Sequence, residues 1–187
     1  MWYPSTTTEA PTTEPVTLAD AKEQCGILLA ETHFDTQMTR LIKAARAHAE
    51  EYCNARWAEQ SISSQCDSFA DFARLPEGPL KSVTTIEYID ASGAAQVLDE
   101  AVYQEQKDGL EPSISLKSGH SWPRIRFGSR ITLTAVYGGA VPESVQHAML
   151  MLIGHWFVNR DAVVTGTIAT TIPMGVDALL SNHRRGA

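Results

Sequence analysis

Residues 141–160 read VPESVQHAMLMLIGHWFVNR, and this stretch decides the fold because it predicts the central helix of the chain. Pro142 suits the first turn of a helix, where its missing N–H is no loss, and Glu143 places a carboxylate at the positive end of the helix dipole. Arg160 adds a positive charge to the predicted last turn. Apolar side chains recur at helical spacing and extend beyond one stripe. We therefore predict a long apolar helix that other elements must cover on more than one side.

The composition bounds the class of protein. The chain has 187 residues, of which 43% are hydrophobic, and this is enough for one packed domain or two small subdomains. No apolar run reaches the roughly 18 residues that span a bilayer, so we expect no membrane role. The formal net charge is −7, which argues against a non-specific nucleic-acid binder, because such binders gain affinity by neutralising phosphates.

The N-terminal part of the chain is predicted to consist of a tail followed by helices. Residues 1–16 are expected to form a flexible Thr/Pro-rich tail that becomes ordered only in an assembly, because residues 5–15 have few apolar side chains. Residues 17–57 are predicted to be an N-terminal helical part. Thr17 caps a short first helix there, and Asp35 caps a longer amphipathic helix that runs to about Asn54.

The middle of the chain, residues 58–140, is predicted to be an antiparallel β module, since short segments with alternating β-branched residues recur along it. The predicted strands cover residues 61–69, 82–89, 94–98, 101–106, 113–117 and 130–137. Residues 141–187 are predicted to hold the C-terminal helix and a docking segment. The predicted fold class is α+β, with N-terminal helices, a small antiparallel β module in the middle, a long apolar C-terminal helix and a short terminal helix around residues 176–180. The helical parts are expected to pack as one domain.

The sequence offers little for catalysis. His147 and His155 are eight residues apart, so about 12 Å of helical rise separates them and one metal ion could not bind both. Cys53 and Cys66 have no adjacent basic residue that would lower a thiol pKa, and the three cysteines lack metal-like spacing. No phosphate-binding glycine motif is present. We expect no catalytic residue, no cofactor and no metal. The alternative is a small cytosolic enzyme of unknown reaction that uses His155 with a distant carboxylate.

Two basic segments are candidate interaction sites. Arg124, Arg126 and Arg130 lie around Trp122, and such a cluster predicts either a protein interface or a solvated hairpin edge that resists pairing with other strands. Arg184 and Arg185 could pair with an acidic partner surface or form a soluble chain end. The candidate core residues are Leu41, Ile42, Tyr52, Met149, Leu152 and Trp156.

Several segments together carry a family resemblance. They are residues 16–22, 41–45 with Tyr52, 75–76, 79–83, 86–90 with Gly93, Tyr103, 122–123, 137–139, 141–142, 155–160, 172–173 and 179–180. In their order and spacing, these segments resemble the head-to-tail connector, or adaptor, proteins of tailed bacteriophages and related gene-transfer particles, which are often labelled putative DNA-packaging proteins. The chain resembles the subgroup with an inserted β module.

The resemblance implies a structural virion protein rather than an enzyme. It implies a homo-oligomeric ring, commonly of twelve copies, that binds the portal protein at the capsid vertex and extends the DNA channel toward a stopper or tail-completion protein. It places the protein in the virion neck, and in the host cytoplasm during assembly, with DNA passing through without sequence-specific binding. It also associates portal docking with residues 165–187, which include Ile172 and Pro173. A second alternative is a DNA-binding packaging factor, whose affinity for DNA would fall steeply with salt.

Overall fold

A computed structural model describes residues 1–159 and 174–186. The helices are α1 (Leu18–Gln24), α2 (Asp35–Cys53), α3 (Glu143–Val158) and α4 (Met174–Ser181), with a 3-10 helix at Phe69–Ala73. The strands are β1 (Thr6–Glu9), β2 (Gln60–Cys66), β3 (Leu80–Ile89), β4 (Ala95–Val97), β5 (Tyr103–Gln106), β6 (Ser113–Leu116) and β7 (Ile131–Tyr137). The chain divides into two compact units. We call them the β unit (Met1–Thr12 and Glu59–Gly139) and the helical unit (Thr13–Ala58 and Ala140–Ala187).

The β unit contains a five-stranded antiparallel sheet in the order β1-β2-β7-β3-β4, and β5 and β6 form a separate antiparallel pair. β2 and β7 alternate strictly between buried and half-buried residues, because successive side chains of a strand point to opposite faces. Their buried faces join the 3-10 helix in one apolar core. That core includes Ile62, Cys66, Phe69, Phe72, Leu75, Ile86, Tyr103, Ile114, Ile131, Leu133 and Tyr137.

The helical unit is organised around α3, which contacts α1, α2 and α4. This explains why α3 is apolar on more than one side: Val145, Ala148, Met149, Leu152 and Ile153 are all fully buried. α3 begins after Pro142, which lies at the N-cap position.

The two N-terminal helices begin differently. Thr17 caps α1 through a capping box in which the Thr17 hydroxyl and the Asp20 carboxylate each bind the backbone N–H of the other residue. The prediction that Asp35 caps α2 was wrong, because Asp35 is the first helical residue and Phe34 lies at the N-cap position. α2 ends at Cys53, and the next residue, Asn54, caps it with a φ of 50°, the left-handed conformation that often closes a helix.

A buried ionic network fixes the chain after α2. Glu50 is buried, and one of its oxygens accepts hydrogen bonds from the backbone N–H groups of Trp57 at 2.9 Å and Ala58 at 3.2 Å. Its other oxygen accepts from Arg46 at 2.9 Å, and Arg46 also donates to Glu14 at 2.7 Å. The turn from α2 toward β2 is therefore held by a carboxylate as well as by the burial of Trp57 and Ala58.

The predicted fold class was wrong in its proportions. The structure is a mixed α+β fold with more sheet than expected: seven strands lie in the described residues, where a small module was predicted. The C-terminal helices are short, since α3 has 16 residues and α4 has 8. α3 ends at Val158, and the next residue, Asn159, closes the last turn by donating from its side-chain amide to the His155 carbonyl at 2.9 Å.

The N-terminal segment supplies part of the additional sheet. Thr6–Glu9 form β1, which pairs with β2 at one edge of the sheet. This segment was expected to be part of a flexible tail, and its strand is exposed throughout. Its order comes from backbone pairing and not from burial of its own side chains.

Candidate interaction surface

The loop that precedes β7, residues 122–130, begins at an aromatic anchor. Trp122 is half-buried and stacks on Phe69 with 4.7 Å between ring centroids, and it meets Phe72 edge-on at 5.8 Å. Both phenylalanines belong to the 3-10 helix in the core of the β unit. Trp122 therefore holds the start of this loop against the core.

Backbone bonds hold the rest of the loop in one conformation. Ile125 forms an isolated bridge with Asp90, and the Arg126 N–H donates to the Ile89 carbonyl at 2.9 Å. Gly128 has a φ of 75°, a left-handed conformation that glycine adopts at no steric cost. The Ser129 hydroxyl then donates to the Arg126 carbonyl at 2.7 Å. The loop is thus a defined turn.

The tip of this loop exposes one aromatic and three basic side chains. Phe127 has a relative exposure of 102%, and the side chains of Arg124, Arg126 and Arg130 are also exposed. The Arg130 guanidinium lies 3.7 Å from the centre of the Tyr3 ring, and it donates to the Gln65 side chain at 3.1 Å. We call residues 124–130 the arginine loop. It brings together three of the residues predicted as interface candidates and adds Phe127.

The arginine loop borders a depression of about 550 Å³. Tyr3 and Asp67 line it from the β1–β2 side, and the Tyr3 hydroxyl donates to Asp67 at 2.9 Å. Sequence reasoning missed the contribution of the first residues to this surface. Trp2 stacks on Phe72 at 5.8 Å and donates from its indole to the Arg74 carbonyl at 2.8 Å. The sequence signal for this contribution was the pair of aromatic residues Trp2 and Tyr3 in front of an otherwise polar segment.

The two C-terminal arginines have different environments. Arg184 is exposed, with its guanidinium 5.5 Å from the centre of the Tyr52 ring. Arg185 is buried, and its backbone N–H donates to the Cys53 carbonyl at 2.7 Å. Ile172 and Pro173, the other interface candidates, lie outside the described residues, as does Arg160.

The candidate core residues all lie in the helical unit, at different depths. Ile42, Met149 and Leu152 are buried. Leu41, Tyr52 and Trp156 are half-buried. Trp156 meets His48 edge-on, with 6.2 Å between ring centroids.

The residues weighed for catalysis have ordinary structural environments. His155 is half-buried, and one of its ring nitrogens lies 3.3 Å from the Asn159 amide. Burial raises the pKa of Cys53 to about 11 and that of Cys66 to about 12, so both thiols stay protonated at neutral pH. Over residues 1–159 and 174–186, no three His, Cys, Asp or Glu side chains cluster closely enough to hold a metal ion. None of the helices in that part of the chain is long and apolar enough to cross a membrane.

Comparison with solved structures shows that this fold has relatives. The structure described as "Neck of empty GTA particle computed with C6 symmetry" matches with a TM-score of 0.74 and 19% identity, over 99% of this chain and 97% of that one. "Virion of native gene transfer agent (GTA) particle" matches with a TM-score of 0.72 and 20% identity, over 96% of each chain. "Neck of native GTA particle computed with C12 symmetry" matches with a TM-score of 0.62 and 22% identity, over 96% of each chain.

The sequence comparisons gave one match. A family model described as "Head completion protein" matches residues 16–186. No curated protein matches the chain.

Proposed function

The chain belongs to the head completion protein family, and from this premise we propose that it forms a ring-shaped adaptor between the portal and the tail or stopper in the neck of a phage-like particle. The observation that carries the proposal is the family match, which spans nearly the whole chain. The role is structural: the protein completes the head of the particle and resides in the virion. We propose that it catalyses no reaction.

The symmetry of the similar particles supports a ring. Two of the matching structures are described as necks computed with C6 and C12 symmetry, and both are rotational symmetries in which each copy meets its neighbours through two different surfaces. We propose that this chain forms such a ring, of twelve copies, and that the portal and a stopper or tail-completion protein contact its two ends. Residues 165–187 are the proposed portal-docking segment.

The charge of the chain fits a channel that DNA traverses without being held. The net charge is −7, so duplex DNA would find few favourable phosphate contacts over most of the surface. This supports an adaptor over a DNA-binding packaging factor.

The test is an affinity pull-down of the tagged chain from cells that produce the particle, with the partners identified by mass spectrometry. We expect a portal subunit in near-equal amount. Recovery of the chain without any virion protein would contradict the proposal. Filter binding of purified chain to duplex DNA at low salt is the companion measurement, and tight binding that weakens steeply with salt would instead support a packaging factor.

A further inference from the structure

Two of the three guanidinium groups of the arginine loop stand out among the cations of the β unit. Within residues 1–159 and 174–186, the side chains of Arg124 and Arg126 make no hydrogen bond or ion pair. The β unit has seven Lys and Arg residues, and the four outside the loop all have partners. The pairs are Arg74 with Glu111 at 2.6 Å, Lys81 with Glu59 at 2.5 Å, Lys107 with Glu105 at 3.0 Å and Lys117 with the Glu100 carbonyl at 2.7 Å. The positive charge that the β unit does not use internally is therefore concentrated in this loop.

The same loop exposes an apolar tip in a fixed conformation. Phe127, next to Arg126, is 102% exposed, the highest value among the large hydrophobic side chains of the described residues. The Arg126 N–H donates to the Ile89 carbonyl at 2.9 Å, and Trp122 anchors the start of the loop on Phe69. A loop that is already ordered loses little conformational entropy on binding. Because aromatic and arginine side chains are enriched in protein interfaces, the tip is preorganised for a protein contact.

The depression beside the loop has the same character as the tip. Its lining carries the guanidinium groups of Arg126 and Arg130 and one carboxylate, that of Asp67, so its net charge is positive. The Tyr3 hydroxyl already donates to Asp67 at 2.9 Å. The rings of Tyr3 and Phe127 supply apolar walls. A volume of about 550 Å³ has room for several side chains, and a positive depression with aromatic walls fits an acidic segment that also carries an apolar side chain.

The charge around the loop argues against duplex DNA as the occupant. The β unit carries twelve carboxylates against seven cations. Asp90 bridges to Ile125 in the loop, and hydrogen bonds to the Asp90 carboxylate, above all from Ser92, lower its pKa to about 2 and keep it ionised. A duplex presents phosphates along its whole length and would meet these carboxylates, whereas an acidic protein segment brings negative charge only to the arginines. Phosphates would also leave the Phe127 ring in water.

An adaptor joins two different proteins and therefore needs two different docking surfaces. Residues 165–187, in the helical unit, are the segment proposed for the portal. The arginine loop lies in the β unit, so it is a separate surface that the portal contact does not use.

We propose that the arginine loop and its depression bind an acidic segment of the stopper or tail-completion protein. Carboxylates of that segment pair with Arg124 and Arg126, and an apolar side chain packs against Phe127. This inference rests on the proposed adaptor function and assigns one of its two contacts to named residues.

Photo-cross-linking in assembled particles tests the contact directly. The probe is p-benzoylphenylalanine, a photoreactive amino acid that replaces Phe127 and reacts with whatever touches its ring. After illumination, the cross-linked peptide is identified by mass spectrometry. We expect a cross-link to a stopper or tail-completion protein, within a segment rich in Asp and Glu. The matched control carries the same probe at Val97, which is 62% exposed on β4 of the same unit, and it should not cross-link to that segment.

Each outcome of this experiment decides one point. A cross-link from position 127 to a second copy of this chain, to the portal or to DNA would overturn the docking proposal and leave the adaptor function intact. So would the absence of any cross-link in particles that contain the chain, or equal cross-linking from position 97. Particles that lack the unmodified chain would overturn the adaptor function itself.

A charge reversal gives a second readout. Arg124→Glu with Arg126→Glu should lower the cross-linking yield from position 127 at least about tenfold, because like charges would then face each other. Both side chains are exposed, so the thermal midpoint should stay at the wild-type value, and the chain should remain in the particles through its portal contact. Lys43→Glu, the same charge change at an exposed residue of α2, is the control and should leave the yield unchanged. An undiminished yield in the double variant would contradict the pairing with carboxylates.

Discussion

Replacing Glu50 by alanine tests the buried ionic network in the helical unit. The substitution removes the acceptor of the Trp57 and Ala58 N–H groups and one partner of Arg46. A buried donor left without its acceptor costs about 1–3 kcal/mol, and a buried charge that loses its partner costs more. Arg46 retains its bond to Glu14, which limits the cost of removing its Glu50 partner. We therefore expect Glu50→Ala to lower the free energy of unfolding by about 3–5 kcal/mol.

The measurement is thermal unfolding followed by circular dichroism, with urea unfolding at 25 °C to give the free energy. For a chain of this length, 1 kcal/mol corresponds to about 2–4 °C, so a loss of about 3–5 kcal/mol should lower the midpoint by about 6–20 °C. Glu51→Ala is the matched control, because Glu51 is the next residue of α2 and is exposed. It should change stability by less than about 0.5 kcal/mol. The reasoning is refuted if Glu50→Ala is no more destabilising than Glu51→Ala.

Three further predictions concern single sites. In urea unfolding, Trp156→Ala should lower the free energy of unfolding by about 1–2 kcal/mol and Leu152→Ala by about 2–5 kcal/mol, because Trp156 is half-buried whereas Leu152 is fully buried. A larger loss for Trp156→Ala than for Leu152→Ala would contradict this. Hydrogen bonds to the Asp90 carboxylate, above all from Ser92, lower the pKa of Asp90 to about 2. These bonds therefore stabilise the folded protein fully above the ordinary carboxyl pKa near 4, and this stabilisation is lost as the pH falls toward 2. An NMR titration of Asp90 should give a midpoint near 2, and a midpoint near 4 would disprove it. Gly78→Ala should lower the thermal midpoint by an amount equivalent to about 1–3 kcal/mol, because a Cβ there would overlap a backbone carbonyl of the loop before β6, and an unchanged midpoint would show that the loop yields freely.

The strands of the β unit were predictable because their side chains alternate. The segment predicted at residues 113–117 is β6, and the one predicted at 130–137 is β7. β1 was missed because Thr6–Glu9 bury no apolar side chain, so no hydrophobic period marks them. The strand depends on a partner, β2, that lies more than 50 residues away in the sequence.

The candidate site was only partly visible in the sequence. The resemblance to head-to-tail connector proteins was confirmed by the family match. The cluster of arginines before β7 was also found, but the exposure of Phe127 depends on how the loop is tied to Ile89, which no local pattern encodes. Arg184 and Arg185 are adjacent and chemically identical, yet one is exposed and the other buried. Tertiary packing alone distinguishes them.

Because the helical unit is made of two separate segments of the chain, the division into units determines which unit can fold first during synthesis. Residues 59–139 leave the ribosome as one continuous piece, and of the strands in residues 1–159 and 174–186 they carry all but β1. α1 and α2 are made before this piece, but their partner α3 is made after it. The apolar faces of the first two helices are therefore not covered by α3 while the strands β2 to β7 are translated. The helical unit can close only after α3 has been translated, because α3 is the helix around which that unit is built.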